Sequence, residues 1–274
     1  MAGGPQSPPP DAPLPEVTLE SVPPVIPEVL PPSGLLALIS KSRGNALLLT
    51  GPMDSGKTAI FSRLAYTHSL PTLTSLQTNS STISLSPSKN VRVVDVPGHP
   101  RIRGQCTEHL GDAKVLAFVV DSNTISRNGA AVAEHLHTIL HSLTSLPPSQ
   151  TPPQLLILCN KADMLGKNST GSSTSTLAIN RVRTILEREL EKRRVSTAGG
   201  VAVEGLGEDE GDGGEGTDGN APFRFEEWEG GEVVFLGTSA KPVEGGDEKK
   251  DGDEKSEAED GGLAELKDWL EENM

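Results

Sequence analysis

Asn45-Ala46-Leu47-Leu48-Leu49-Thr50-Gly51-Pro52-Met53-Asp54-Ser55-Gly56-Lys57-Thr58 is the stretch that decides how this chain is read. Its second half fits G-x-x-x-x-G-K-[ST], and the apolar run Ala46 to Leu49 supplies the buried strand that leads into such a loop. Ile60, Phe61, Leu64 and Ala65 follow at helical spacing. A glycine-rich turn between strand and helix lets successive backbone N–H groups converge on an anion at the positive end of the helix. Gly51, Met53, Asp54, Ser55, Gly56 and Ala59 are therefore candidate contacts to a nucleotide. Lys57 is expected to reach the β and γ phosphates, and the Thr58 hydroxyl to ligate Mg²⁺.

With 29 Gly and 22 Pro in 274 residues, one folded domain with flexible attachments is expected. Residues 1–40 read as a proline-rich tail, in which Leu35 to Ile39 can pack beside the first strand, and residues 41–274 as the domain. Flexible inserts are expected at about 166–176, 196–221 and 244–261. Residues 204–261 hold 20 acidic and 5 basic side chains against a net charge of −14, so the remainder is close to neutral and offers nucleic acid no landing site. Cys106 and Cys159 make no disulfide framework. No uncharged apolar stretch approaches the roughly 20 residues of a membrane-spanning helix.

Beyond the first helix, the hydroxyls of Thr72, Thr74 and Ser75 precede a strand at 82–85, which pairs through a turn at 87–90 with a second strand at 91–96. Thr72, Leu73, Thr74 and Ser75 are candidate nucleotide contacts, with Thr74 a candidate Mg²⁺ ligand. Asp95-Val96-Pro97-Gly98-His99 ends that strand where open α/β sheets bind ligands. Asp95 is expected to hold Mg²⁺ through water, and Gly98, lacking a Cβ, to present its N–H to a γ-phosphate. Further core strands are read at 114–121, 155–159 and 233–236, with helices near 129–143 and 177–194. His135, His137 and His141 read as solvated. A terminal helix carrying Leu263, Leu266, Trp269 and Leu270 is expected to dock on the core.

Asn160-Lys161-Ala162-Asp163 follows the 155–159 strand. The Asp163 carboxylate can accept from both N1–H and the 2-amino group of guanine, a pair adenine lacks. Lys161 is expected along the base face, and Asn160 to tie this loop to the phosphate loop. Ser239 and Ala240 end the 233–236 strand, where the Ala240 N–H can meet guanine O6. The fold expected is an α/β P-loop NTPase three-layer sandwich: a mostly parallel central sheet with one antiparallel edge strand and helices on both faces.

Gly51–Thr58, Asp95–Gly98, Asn160–Asp163 and Ser239–Lys241 resemble, in order, the guanine-nucleotide motifs of Ras-like and Arf-like GTPases. Pro52–Thr58, Thr72–Leu76, Asp95–His99 and Leu266–Leu270 are similar to those of the beta-subunit family of the signal recognition particle receptor. That resemblance implies a GTPase using GTP and Mg²⁺ at the cytoplasmic face of the endoplasmic reticulum membrane. It also implies switch regions near 72–78 and 95–105 that hold the receptor's alpha subunit. Ribosome, signal recognition particle and translocon would be indirect partners. The family carries an N-terminal membrane span, and the chain as written has none. His99 stands where Ras-like enzymes place a glutamine, and a neutral imidazole there can orient the attacking water. Three readings follow: a slow GTPase switch, a stably GTP-bound assembly module with negligible hydrolysis, and an Arf-like trafficking GTPase, for which Met1-Ala2 offers no myristoylation site.

Overall fold

A computed structural model describes residues 44–66, 72–87, 89–166, 173–198, 222–241 and 262–274. The elements are β1 (Ala46–Thr50), α1 (Lys57–Tyr66), β2 (Asn79–Ser86), β3 (Lys89–Asp95), α2 (Cys106–His109), β4 (Ala113–Asp121), α3 (Ile125–Thr144), β5 (Gln154–Asn160), α4 (Thr174–Ala198), β6 (Val233–Gly237) and α5 (Ala264–Asn273). They build one six-stranded sheet in the order β2-β3-β1-β4-β5-β6. Only the β2–β3 pair is antiparallel, with Ile83 opposite Val91.

β1, β4 and β5 are buried along both faces, which is why they read as unbroken apolar runs. Alternate residues feed opposite cores. Leu48, Leu116, Phe118 and Ile157 meet Val132, Leu136, Val182 and Leu186 of α3 and α4. On the other face Leu47, Leu49, Val115 and Leu156 meet Ile60, Phe61 and Leu64 of α1 and Leu266 and Leu270 of α5. α5 thus docks on the core as expected. β2, at the edge, carries Ser, Thr and Asn, and half of its residues are exposed.

Several boundaries differ from the sequence reading. α3 starts at Ile125, and α4 spans Thr174–Ala198, so 174–176 and 196–198 are helical where inserts were expected. Arg193 and Arg194 therefore lie a turn inside the helix. Of those inserts, 167–172 and 199–221 lie outside the described residues, as do the 244–261 insert and the 1–40 tail. His135 is a correction: it is 2% exposed, edge-on to Phe118 with ring centroids 5.4 Å apart. Three residues after Val132 and four before Ile139, it shares their inward face. Among the described residues, no helix is long and apolar enough to cross a membrane.

β1 lies between β3 and β4, so the chain leaves it toward opposite edges and opens a crevice at the C-terminal strand ends. The Leu49–Asp95 and Thr50–Phe118 pairings set the loop at Gly51 beside the end of β3.

Candidate functional site

The loop from β1 to α1 requires its glycines at two points. Gly51 has φ +137°, and a Cβ there would lie 2.4 Å from the Val119 carbonyl; Gly56 has φ +93°, and a Cβ there would lie 2.2 Å from Asn160 Nδ2. Asp54 also sits in the left-handed region, at φ 60°. Ser55 donates to the Pro52 carbonyl at 2.9 Å, pinning the turn. Lys57 Nζ folds back to donate to the carbonyls of Gly51 and Pro52 at 2.9 and 2.7 Å. Burial pulls its pKa down to about 8, against the opposing pull of Asp95 and Asp54. An ammonium so desolvated beside a helix N-terminus is poised to receive an anion.

A cavity of about 470 Å³ opens over this loop. Met53, Asp54, Gly56, Lys57, Thr58 and Ala59 line one side, Thr72, Leu73, Thr74 and Ser75 another, and Pro97, Gly98 and Lys161 complete it. A Cβ at Gly98 would come within 2.5 Å of the Gly51 carbonyl and 2.7 Å of Lys57 Nζ. The β3 end thus approaches the phosphate loop as closely as backbone allows.

Thr58 Oγ1 donates to Asp95 Oδ2 at 2.8 Å, and Ser75 Oγ lies 2.9 Å from Thr58 Oγ1 and 3.5 Å from that carboxylate oxygen. Asp95 Oδ1 is buried with no hydrogen-bond partner. Burial raises the Asp95 pKa, although the Thr58 hydroxyl and the Lys57 charge pull it down. A hard cation suits this cluster, since an orphaned carboxylate oxygen and two hydroxyls are oxygen donors of the kind Mg²⁺ takes. Ser75, rather than Thr74, joins the pair; Thr74 lines the cavity without entering that cluster. The 72–75 segment has neither helix nor strand, so no period indicates which hydroxyl faces inward.

At the ends of β5 and β6, Asn160 is 1% exposed and donates from Nδ2 to the Ser55 carbonyl at 2.8 Å, while Thr238 Oγ1 donates to its Oδ1 at 3.3 Å. It ties the two loops together as expected. Asp163 accepts from Ser239 Oγ at 2.8 Å, and Ala240 follows, half-buried. None of Asp163, Ser239 and Ala240 lines the 470 Å³ cavity. Lys161, at φ 61°, donates from Nζ to the Asp54 carbonyl at 2.7 Å and to Asp121 Oδ2 at 2.8 Å. Asp121 was not singled out from the sequence. Its other oxygen accepts from the N–H groups of Asn123 and Thr124, at 2.8 and 3.2 Å. Burial pushes the Asp121 pKa up, but the Lys161 hydrogen bond and charge and those two amides outweigh it, and the net shift is downward. Its place at the end of a parallel strand next to the phosphate loop was the available signal.

His99 does not line the cavity; its Nδ1 accepts from the Arg101 N–H at 3.2 Å. Arg103 is engaged by Glu134 at 3.1 Å. Among the described residues no group of three His, Cys, Asp or Glu could hold a metal, so any cation here relies on hydroxyls and on ligand oxygens beside Asp95.

A family model, the signal recognition particle receptor beta subunit, matches residues 42–230. The chain belongs to this family. The signal recognition particle receptor subunit beta of Mus musculus is 33% identical over 57% of this chain and 55% of its own length, and that of Dictyostelium discoideum is 30% identical over 74% and 66%. The chain thus spans just over half of the mouse relative. The mammalian SRP receptor structure is 27% identical with a TM-score of 0.61, covering 84% of this beta-family chain and 100% of the other. An SRb-GTP/SRX complex from Chaetomium thermophilum covers 85% and 100% at a TM-score of 0.53, and at 20% identity it bears on the fold alone. Membership of the beta family sets aside the Arf-like reading.

Proposed function

We propose that this chain is a GTP-binding subunit of the signal recognition particle receptor that holds the alpha subunit at the cytoplasmic face of the endoplasmic reticulum for co-translational targeting. The observation that carries the nucleotide reading is the Asn160–Ser55 bond, which joins the loop bearing Asp163 to the loop bearing Lys57. One ligand with a purine at one end and phosphates at the other suits that pair of loops. Lys57 exchanges its two loop carbonyls for phosphate oxygens. Gly98 presents its N–H to the terminal phosphate. Asp163 accepts from guanine N1–H and the 2-amino group, and the Ala240 N–H meets O6. Thr58, Ser75 and Asp95 would hold Mg²⁺, which supplies charge neutralisation at the phosphates.

The likeness to the mammalian SRP receptor, at 27% identity, and to receptor subunits beta supports a place beside another receptor subunit. Leu73 and Leu76, 91% and 72% exposed beside the cavity, offer apolar anchors whose arrangement would follow the nucleotide. Hydrolysis is slow in this reading. A second reading, a stably GTP-bound assembly module, is favoured by His99, whose ring is held by the Arg101 amide off the cavity. Retention of the alpha subunit's N-terminal domain on immobilised chain, with GTP loaded and not with GDP, tests the assembly role. Equal retention in both states contradicts it.

A further inference from the structure

We infer that Arg63, a buried arginine on the phosphate-loop helix, is a positioning residue for base selection: it orients the Ser239–Ala240 peptide that faces the purine. This rests on the guanine-nucleotide reading above.

Arg63 lies in the last turn of α1, six residues after Lys57, and is 2% exposed. Its Nη1 donates to the carbonyls of Ser239 and Lys241, at 3.3 and 3.2 Å. The segment it holds has neither helix nor strand, so no ladder keeps its peptide planes in place. The Ser239 carbonyl and the Ala240 N–H belong to one planar peptide unit, and in a trans peptide they point in opposite directions. A guanidinium gripping the carbonyl from the α1 side therefore aims the Ala240 N–H away from α1. In the reading above, that N–H meets the 6-oxo group of guanine; the 6-amino group of adenine would set donor against donor.

Two further contacts hold the same residue. The Ser239 N–H donates to the Gly262 carbonyl at 2.8 Å, and its hydroxyl to Asp163 at 2.8 Å. Gly262 approaches so closely that a Cβ would lie 2.4 Å from the Ser239 carbonyl oxygen, a backbone atom that cannot swing aside without turning the peptide. Ser239 is thereby fixed from α1, from the entry to α5, and from the loop after β5. A lysine at position 63 keeps the charge and loses the planar fork.

The test compares native chain, Arg63→Lys and Gly262→Ala in their affinities for GDP, ADP and Mg²⁺-pyrophosphate, with a thermal melt on each variant. The expected result is a GDP-over-ADP preference lowered about tenfold, as for loss of a charge-assisted hydrogen bond, with pyrophosphate affinity unchanged. A purely structural role weakens GDP and pyrophosphate alike and overturns the inference. An unchanged GDP-over-ADP preference in the folded variants overturns it too. If Arg63→Lys does not fold, Arg63→Gln, which also removes the guanidinium, takes its place in the comparison, and Gly262→Ala reports only whether turning the same peptide alters the preference. Native chain without a preference for GDP over ADP refutes the guanine reading itself, and the inference falls with it.

Discussion

Replacing Asp121 with asparagine or alanine separates two tasks the carboxylate performs. One oxygen pairs with Lys161 Nζ at 2.8 Å and the other caps the Asn123 and Thr124 amides. The lysine side chain is 31% exposed and the aspartate 11%, so the pair falls between a surface ion pair and a fully buried charged hydrogen bond. Asp121→Asn keeps the capping oxygen and loses the charge, at a cost of about 1.5 kcal/mol. For a chain of this size that lowers Tm by roughly 3–6 °C. Asp121→Ala also strands two amides, bringing the loss to about 3 kcal/mol. Lys161, in the left-handed region, is the residue that loosens, and it carries the Asp54 carbonyl with it. GDP release should accordingly accelerate in both variants. Thermal melts with and without GDP, and release of a fluorescent GDP, are the assays. A double-mutant cycle with Lys161→Met should return a coupling of about 1 kcal/mol. Equal Tm values for the Asn and Ala variants, or no coupling to Lys161, would refute the division of labour.

Lys57→Ala and Thr58→Ala should each abolish Mg²⁺-GTP binding, and unchanged affinity in equilibrium titration contradicts the site. Gly98→Ala places a Cβ 2.5 Å from the Gly51 carbonyl, so the phosphate loop must shift, and GTP affinity should fall at least about tenfold while the melt changes by only about 1–3 kcal/mol. Because the folded-state pKa of Asp121 is lowered, its stabilisation is present above the unfolded carboxylate value and lost as pH falls through the folded one. The Tm gap between native chain and Asp121→Asn should therefore be full at pH 7 and close below about pH 4.

The parallel strands were legible because burial on both faces leaves continuous apolar runs, and the loops between them because each begins at a strand end. Asn160 could be assigned to the inter-loop tie because its motif has one geometry, and the structure carries the bond to Ser55. Other details have no sequence period. Thr74 and Ser75 are adjacent hydroxyls in irregular backbone, and only tertiary placement chooses Ser75. Asp121 belongs to no spaced motif, and its partner is 40 residues away. Arg63 looks like an ordinary charged helix residue until the β6 end closes over it. His135 was within reach of a periodicity argument, since it shares the inward face of α3, but histidine's polarity argued the other way.

The most direct test of the central claim is the nucleotide carried by the purified chain, released by denaturation, separated by ion exchange, and followed over several hours at working temperature. Guanine nucleotide is expected throughout, with GTP passing slowly to GDP. Adenine nucleotide alone would contradict the roles given to Asp163 and Ala240, and with them the guanine-nucleotide function.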